Sequence, residues 1–345
     1  MTSSHHVTIV TEDNEIIRFA CRSDEDVITA AVRQDIYLMS SCREGGCATC
    51  KGYCSDGDYV IGKVSAQALP SQEEEEGMVL LCRCYPTTDI VVEVPYTYER
   101  ISFSPEGMSF EAEVVELSQI SINVVKFQLR RTGDDKSINF ASGQFFDLEI
   151  PGSEATRSYS PANISNKQGD LEFLIRIVDG GKFSEYLKNE AKIGQQLKVK
   201  GPSGIFGLKE NGFTPRYFVA GGTGLAPILS MVRHMKEWGE PQKCVLYFGV
   251  NTEAEIFHLD ELEQLAAEMP TLELRNCVWK CSDDWHFEKG SVVDILRRDL
   301  MATGAKPDLY LCGPPGMVDA TVNVCADVGI PKERIYLEKF LPSGS

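Results

Sequence analysis

The sequence has no long apolar run and no excess of positive charge. No stretch approaches the roughly 18 consecutive apolar residues that a membrane-spanning helix needs, so no segment is expected to cross a membrane. Residues 1–6 lack a basic region followed by an apolar core, so they do not predict a secretion signal. Lys and Arg number 34 against 51 Asp and Glu, a formal net charge of −17, which argues against nucleic acid as a partner.

Signatures of hydrolytic chemistry are also missing. Neither a Ser-His-Asp arrangement nor a His-Glu-x-x-His motif is apparent, and there are no internal repeats or low-complexity tracts. The hydrophobic fraction of 43% and the charged fraction of 25% are those of ordinary globular proteins. A length of 345 residues predicts two or three domains.

Cysteine, in contrast, is plentiful. Twelve cysteines in a chain without a secretion signal indicate a reducing compartment and metal ligation. We therefore expect the protein in the cytoplasm.

Negative charge is concentrated near the start of the chain. Residues 1–99 hold 17 Asp and Glu against 7 Lys and Arg, a net charge of −10. This region could simply be a well-solvated surface, or it could be an acidic face that attracts a basic partner. The run Glu73–Glu76 taken alone predicts a solvated loop.

Four cysteines have the spacing of plant-type [2Fe–2S] ligands. Cys42, Cys47 and Cys50 follow a C-x4-C-x2-C pattern, and Cys82 follows after thirty-one intervening residues. Gly45 and Gly46 between them permit the backbone angles of a tight loop. Disulfides would leave three thiols crowded into nine residues, and a zinc site would show two separated pairs. The spacing therefore favours a cluster.

Other cysteines near this motif are off its spacing. Cys21, Cys54 and Cys84 are expected to be core or surface thiols. Cys84 is the only rival to Cys82, because residues two apart on a strand share a face. The run Leu80–Arg83 fits the fourth ligand better.

The first third of the chain, residues 1–98, predicts an α+β module. The runs Val7–Val10 and Ile16–Phe19 flank a turn pair and predict a hairpin. Apolar residues at helical spacing predict a helix over Val27–Val32, and Ile90–Val94 predicts a strand that Pro95 ends. The following residues, 96–107, predict a linker.

The rest of the chain divides into two patterns. Residues 107–210 alternate as strands do, with one short helix at 183–189, and predict an antiparallel barrel. Residues 213–345 alternate apolar strands with helices and predict a doubly wound parallel sheet.

Two motifs in the barrel region suit a flavin. Arg157-Ser158-Tyr159-Ser160 offers a guanidinium for a diphosphate, a ring and a short hydroxyl, although any surface strand could carry these residues. Gly180–Ser184 is a glycine turn that opens a helix, and a helix N-terminus is a ready diphosphate site.

Two glycine turns in the last third predict a dinucleotide site. Gly221–Gly224 lies between an apolar strand and a helix, although its pattern departs from G-x-G-x-x-G. Cys312–Met317 follows a later strand and faces the same sheet edge, where it could also be a plain turn with a buried Cys312. After the second strand, Asn251–Glu255 contains no Arg or Lys that could meet a 2′-phosphate, so we expect NADH rather than NADPH.

These motifs, in this order, resemble the ferredoxin–NAD(P)H reductase superfamily. The resemblance covers essentially the whole chain and is narrower to the three-domain reductases of bacterial oxygenases. The segments Ser40–Lys51, Gln67–Pro70, Pro95–Tyr98 and Glu338–Gly344 are most similar to reductases of soluble methane monooxygenases. Closely related reductases serve phenol, toluene and alkene monooxygenases, so the partner is less well defined than the chemistry.

The resemblance implies three domains: a [2Fe–2S] ferredoxin-type β-grasp domain (1–98), an FAD-binding barrel (107–210) and an NAD-binding α/β domain (213–345). It implies cluster ligation by Cys42, Cys47, Cys50 and Cys82. It implies contact with FAD or NADH for Arg157, Tyr159, Ser160, Arg176, Ile177, Val178, Gly181, Lys182, Phe183, Ser184, Gly221, Gly222, Thr223, Gly224, Cys312, Gly313, Pro314 and Phe340. It implies that Ser160, Cys312 and Glu338 lie at the reacting centre.

The function expected from this resemblance is electron transfer from NADH through FAD and a [2Fe–2S] cluster to the di-iron hydroxylase of a methane monooxygenase. Docking would use the acidic ferredoxin module, and a small regulatory component could take part. Two alternatives stay open: a non-catalytic electron carrier, and a reductase of another monooxygenase or of an aromatic-ring dioxygenase.

Overall fold

The computed structural model describes residues 4–40, 43–46, 48–66, 68–103, 109–134, 136–153 and 155–340. The chain forms two units, residues 1–109 with 200–205 and residues 110–199 with 206–345. The three predicted domain boundaries are not tested by this division and stay a prediction. Among the described residues, no helix has the length and apolar character needed to cross a membrane.

The first unit is an α+β fold around a mixed five-stranded sheet. Its elements are β1 (Ser4–Val10), β2 (Ile16–Arg22), α1 (Val27–Val32), β3 (Lys51–Asp56), β4 (Tyr59–Ile61), α2 (Ser71–Glu75), β5 (Met78–Leu80), β6 (Cys84–Pro86) and β7 (Ile90–Glu93). The strand order is β2-β1-β7-β3-β5, with β1 parallel to β7, while β4 and β6 form a separate pair. This is the β-grasp arrangement that we expected.

The predicted hairpin and helix of this unit are confirmed. β1 and β2 pair antiparallel, and the turn between them places Asn14 in the left-handed region with φ of 62°. α1 begins where the Asp26 carboxylate accepts a hydrogen bond from the Thr29 N–H at 3.0 Å.

The acidic run does not form the loop that we expected. Ser71–Glu75 forms the short helix α2, preceded by Pro70. Carboxylates in a first helical turn are stabilised by the helix dipole, and Glu73 also pairs with Lys51 at 2.5 Å (Oε2 to Nζ). The helix has no buried residue, so its residues show no apolar periodicity from which it could be predicted.

The second unit begins with a six-stranded antiparallel barrel. Its elements are β8 (Ser109–Ser121), β9 (Val124–Arg131), β10 (Phe145–Glu149), β11 (Thr156–Tyr159), β12 (Asp170–Arg176), α3 (Lys182–Asn189) and β13 (Gln196–Ser203). The strand order is β11-β10-β13-β8-β9-β12, and a bridge between Pro161 and Phe173 joins the two ends. β13 was not predicted, although Leu197 and Val199 alternate with polar residues and are buried.

A parallel sheet completes the second unit. Its elements are β14 (Arg216–Gly221), α4 (Leu225–Glu237), β15 (Cys244–Thr252), α5 (Leu259–Glu268), β16 (Leu272–Lys280), β17 (Glu288–Lys289), α6 (Val292–Thr303), β18 (Asp308–Gly313), α7 (Pro315–Asp327) and β19 (Ile335–Lys339). The order β17-β16-β15-β14-β18-β19 is that of a doubly wound fold. All six residues of β14 are buried, which explains the apolar run 217–221, while Arg216 at its start pairs with Glu240.

A row of alternating charges, which we call the charge ladder, joins the barrel to this sheet's helices. Lys126 Nζ lies 3.1 Å from Glu116 Oε2 and 3.7 Å from Glu172 Oε2, all three on barrel strands. Arg233 on α4 continues the row, with Nη1 3.0 Å from Glu172 Oε1. Arg233 also pairs with Glu261 on α5.

Glu261 ends the ladder in a setting that favours its ionised form. His258 Nδ1 lies 2.9 Å from Glu261 Oε2. Burial alone would raise the pKa of Glu261, but the hydrogen bond from His258 and the charge of Arg233 lower that pKa to about 2.

Glu261→Gln should therefore destabilise the protein most at neutral pH. Because the folded pKa lies below the ordinary value of 4.5, the carboxylate stabilises the fold fully above that value and less as the pH falls toward the folded pKa. The melting temperature should drop at pH 7, and the difference from wild type should shrink as the pH falls. Glu263→Gln, at an exposed position of the same helix, is the control. A difference in melting temperature that does not change with pH would contradict a stabilising role for the ionised Glu261.

Candidate functional site

Two strand-to-helix turns meet at the carboxyl edge of the parallel sheet. β14 ends at Gly221, a single 3-10 turn covers Gly222–Gly224, and α4 follows. Its neighbour β18 ends at Gly313, just before α7. The strand order reverses between β14 and β18, and doubly wound sheets bind ligands at such a switch point.

The two turns touch through bare backbone. A Cβ on Gly224 would lie 2.2 Å from the Cys312 carbonyl oxygen, and one on Gly221 would lie 2.6 Å from Met317 Sδ. Gly222 has φ of +54°, and a Cβ there would meet nothing within 4 Å. A surface without side chains beside the start of a helix fits a dinucleotide, whose diphosphate needs close contact with backbone N–H groups.

The predicted flavin strand is β11 and the residue after it. Arg157 is partly buried, and its Nη1 donates to the Thr156 carbonyl at 2.7 Å. The Tyr159 ring lies 5.1 Å from the Phe183 ring, centre to centre, so the strand contacts the start of α3. Burial raises the pKa of Tyr159, against a smaller lowering by the charge of Arg157.

The glycine turn before α3 is fixed by its own hydrogen bonds. Gly180 has φ of +71°, and Gly181 is the N-cap of the helix that starts at Lys182. The Val178 N–H donates to Ser184 Oγ at 3.0 Å. The turn therefore presents the N-terminus of an eight-residue helix beside the flavin strand, which fits a diphosphate.

The strand that leads to this turn ends at the same place. Arg176 is the last residue of β12, and the Ile177 N–H donates to the Asn123 carbonyl at 2.8 Å. The side chain of Val178 is 54% exposed. An exposed apolar side chain at this point is consistent with a flavin surface.

Ser160 from the barrel lies close to Glu338 of β19. Glu338 stands opposite Cys312 in the β18–β19 register. Burial raises the pKa of Glu338 to about 7, partly offset by a hydrogen bond from the Ser160 hydroxyl. Burial and the charge of Glu338 together raise the pKa of Cys312 well above its ordinary value. The three residues predicted at the reacting centre therefore meet, and the Phe340 N–H reaches the Gly313 carbonyl at 3.1 Å.

The Glu338 carboxylate keeps one unsatisfied atom. Its Oε2 is shielded from solvent and has no hydrogen-bond partner among the described residues. A buried acceptor without a partner is costly in a folded protein. A bound flavin or nicotinamide would supply polar groups to this place, so the residues fit the cofactors.

Two of the four predicted cluster ligands lie together in the first unit. Cys50 and Cys82 are each 2% exposed, and the Cys82 N–H points at Cys50 Sγ at 3.5 Å. Cys42 and Cys47 lie outside the described residues. The rival Cys84 starts β6 and is fully buried. The ligand assignment stays a prediction.

The loop that carries these cysteines has the conformation of a tight turn. Gly45 has φ of +76°, and a Cβ there would lie 2.8 Å from the Lys63 carbonyl oxygen. Arg43 and Ala48 have φ of 54° and 60°, a region that residues other than glycine rarely adopt. Such strain is typical of functional loops.

Two buried donors beside this loop were missed by the sequence analysis. Among the described residues of the first unit, Arg83 Nε and the Tyr96 hydroxyl are buried without a hydrogen-bond partner. Burial raises the pKa of Tyr96, the Met39 backbone lowers that pKa, and Cys50 raises it further. Cluster sulfurs accept hydrogen bonds, so unpartnered donors here fit a [2Fe–2S] cluster. In the sequence, only the position of Arg83 directly after Cys82 could have indicated a role beside the cluster.

The turn after β15 carries the acidic residues that led us to expect NADH. The Ser282 N–H donates to Glu253 Oε1 at 2.5 Å, and Asn251 Nδ2 donates to Glu255 Oε2 at 3.3 Å. Both carboxylates are therefore engaged locally. Glu253 and Glu255 keep negative charge at the edge of the sheet where a 2′-phosphate of NADPH would be repelled.

Three family models match successive parts of the chain. They are the 2Fe-2S iron-sulfur cluster binding domain over residues 10–87, the oxidoreductase FAD-binding domain over 111–207 and the oxidoreductase NAD-binding domain over 218–323. These matches follow the order of the sheets described above.

Relatives that match most of the chain's length are also oxygenase reductases. Methane monooxygenase component C of Methylosinus trichosporium is 44% identical over 299 residues, 86% of this chain and 87% of that protein. The reductase component of propane 2-monooxygenase from Mycolicibacterium goodii is 34% identical over 346 residues, 99% of this chain and 98% of that protein. The crystal structure of an Amycolatopsis cytochrome P450 reductase superposes with a TM-score of 0.76 at 26% identity, covering 97% of this chain and 99% of that one.

The fold and the three cofactor sites define an iron–sulfur flavoprotein oxidoreductase. The chain belongs to the oxygenase reductase-component family of the ferredoxin–NADP reductase superfamily. Its cofactors are FAD, NADH and a [2Fe–2S] cluster.

Gly224→Ala should push the two glycine turns apart. The added Cβ would overlap the Cys312 carbonyl, and overpacking of this kind costs roughly 1–3 kcal/mol. We expect a lower melting temperature and weaker NADH binding, measured by thermal unfolding and by NADH titration. Gly316→Ala is the control, because its Cβ would meet nothing within 4 Å. Equal melting temperatures and equal NADH affinities in the two variants would contradict the close approach of Gly224 to the Cys312 carbonyl.

Tyr96→Phe should lower the reduction potential of the cluster. Losing a buried O–H donor removes stabilisation from the more negative reduced form. Spectroelectrochemistry measures the potential, while unfolding of the cluster-free protein should change little because the hydroxyl has no partner to lose. Tyr98→Phe, at a 39% exposed position two residues on, is the control. An unchanged potential in Tyr96→Phe would rule out this role.

Proposed function

We propose that this protein is the reductase component of a soluble methane monooxygenase, passing electrons from NADH to its di-iron hydroxylase. The meeting of Ser160, Cys312 and Glu338 where the two glycine turns touch carries the NADH-to-FAD part of the proposal. The 44% identity to a methane monooxygenase component C supports the choice of partner. A reductase of another monooxygenase or of a dioxygenase is the alternative.

The chain's own groups would hold the flavin in the barrel. Arg157 and the N-terminus of α3, over Gly181–Ser184, suit the diphosphate, while Tyr159 and the segment 176–178 suit the ring system. Bound FAD supplies the conversion of a two-electron hydride into single electrons, which a one-electron cluster requires. Phe340 would cover the site from the end of β19.

The nicotinamide dinucleotide would lie on the two bare turns. Gly221–Gly224 and Cys312–Pro314 lie at the switch point, and the open space at Gly222 suits the diphosphate. Glu338, with a pKa raised to about 7, holds a proton on a buried carboxyl near neutral pH, and Ser160 orients that group. Cys312, buried beside Glu338, stays a neutral thiol and fills the space there.

The ligands Cys42, Cys47, Cys50 and Cys82 would hold the cluster. The acidic first module, with its charge of −10 and the exposed Glu74 and Glu75 of α2, suits docking to a basic face of the hydroxylase. A small regulatory component could bind as well.

We also propose the domain boundaries 1–98, 107–210 and 213–345, which the three family matches support. A cytoplasmic location agrees with the twelve cysteines of the sequence, which suit a reducing compartment.

An anaerobic NADH titration of wild type, Cys82→Ser and Cys84→Ser tests the proposal. Wild type should take up about three electrons per chain, two in the flavin and one in the cluster, with a [2Fe–2S] EPR signal. Cys82→Ser should keep flavin reduction but lose the cluster signal and all turnover with purified methane hydroxylase. Cys84→Ser, which alters a buried thiol two residues on, should keep both.

Three outcomes would contradict the proposal at separate points. Loss of the cluster in Cys84→Ser alone would reassign the fourth ligand. Absence of flavin reduction in wild type would remove the NADH–FAD route. Turnover with a propane or toluene hydroxylase but none with the methane enzyme would favour the alternative partner.

A further inference from the structure

Helix α4 links the nucleotide turn directly to the flavin strand. It begins at Leu225, immediately after the glycine turn. One and a half turns later, Ser230 Oγ donates to the Asn163 carbonyl at 2.7 Å. Arg233 Nη1 donates to the Ala162 carbonyl at 2.8 Å. Both acceptors come within three residues of Ser160.

The segment that follows Ser160 is held on its other side by β12. The Ala162 N–H donates to the Glu172 carbonyl at 2.7 Å, and the Glu172 N–H donates to Asn163 Oδ1 at 2.7 Å. Ser230 and Ala162 are completely buried. The segment is therefore fixed between a barrel strand and α4.

Arg233 adds charge to this junction. Its guanidinium lies between Glu172 of the barrel and Glu261 of α5, in the centre of the charge ladder. The same Nη1 serves the Ala162 carbonyl and the Glu172 carboxylate. A planar guanidinium can hold a carbonyl and two carboxylates at once in a fixed geometry, which the point charge of a lysine does not impose.

The length of α4 makes these bonds a fixed spacer. Residues 225 to 230 rise roughly 8 Å along a helix, at about 1.5 Å per residue. One end of this spacer is the turn Gly221–Gly224, and the other is bonded to the segment after Ser160. Movement of the nucleotide turn relative to the flavin strand would have to break a buried hydrogen bond or bend a helix.

We propose that Ser230 and Arg233 are positioning residues for hydride transfer, which set the distance between the nicotinamide turn and the flavin strand. The inference rests on the proposed transfer from NADH to FAD. In that reaction the hydride leaves NADH with two electrons and joins the flavin, so NADH is oxidised and FAD is reduced. Neither residue touches the reacting atoms.

The test compares three variants with one control. Ser230→Ala removes the hydrogen bond to the Asn163 carbonyl, and Arg233→Met removes the one to the Ala162 carbonyl. Arg233→Lys keeps the positive charge but lacks the planar guanidinium. Lys236→Met is the control, because Lys236 lies about one turn further along α4 and its ion pair is with Glu268 of α5. Stopped-flow absorbance follows flavin reduction over a range of NADH concentrations under anaerobic conditions.

The expected result is a loss of rate at saturating NADH with little change in NADH affinity. A misplacement of about 1 Å can lower a rate about 100-fold, so Arg233→Met should be slower than wild type by roughly tenfold to 100-fold. The rate of flavin reduction should fall less in Ser230→Ala than in Arg233→Met. Arg233→Lys should be faster than Arg233→Met but slower than wild type. Lys236→Met should match wild type.

A second measurement does not depend on turnover. Hydrogen exchange in the peptide over residues 158–165 of the FAD-free protein should be faster in Ser230→Ala and Arg233→Met, and unchanged in Lys236→Met. If Arg233→Met fails to fold, Ser230→Ala and Arg233→Lys decide the question.

Unchanged rates in Ser230→Ala and Arg233→Lys would overturn the inference, as would a loss that appears only in NADH affinity. Wild-type flavin that NADH does not reduce would instead overturn the proposed function. The two failures are therefore distinguishable.

Discussion

The backbone of Gly224 lies against the carbonyl group of Cys312, where no side chain would fit. This contact joins the start of α4 to the end of β18 and so brings both nucleotide turns into one surface. The register of β18 with β19 then places Glu338 beside Cys312, and α4 reaches the barrel at the segment after Ser160. Both halves of the site depend on this single close approach.

Much of the fold could be predicted because its signals are local. Buried parallel strands such as β14 give continuous apolar runs, and the turns after them need glycine for steric reasons. The cysteine spacing reports a ligand set that one loop must supply. α2 was missed because it has no apolar face. The alternation of Leu197 and Val199 with polar residues in β13 is short, because Gly201-Pro202 comes directly after Lys200.

The remainder of the site could not be predicted because it depends on residues distant in sequence. Arg233 and Ala162 are 71 positions apart, and Ser230 and Asn163 are 67 apart. In the sequence, Arg233 is one polar residue on an amphipathic helix, indistinguishable from Lys236. Tyr96 likewise lay in a segment expected to be a linker, and only its burial in the first unit separates it from Tyr98.

The buried state of Cys312 has a consequence for chemical durability. Reduced flavins can pass electrons to O₂, and a reductase that works beside oxygen chemistry is exposed to the peroxide that results. Peroxide oxidises thiolates rather than neutral thiols. Burial and the adjacent Glu338 raise the pKa of Cys312 well above its ordinary value, so this sulfur stays protonated. At the proposed reacting centre, the same burial makes the Cys312 thiol resistant to peroxide.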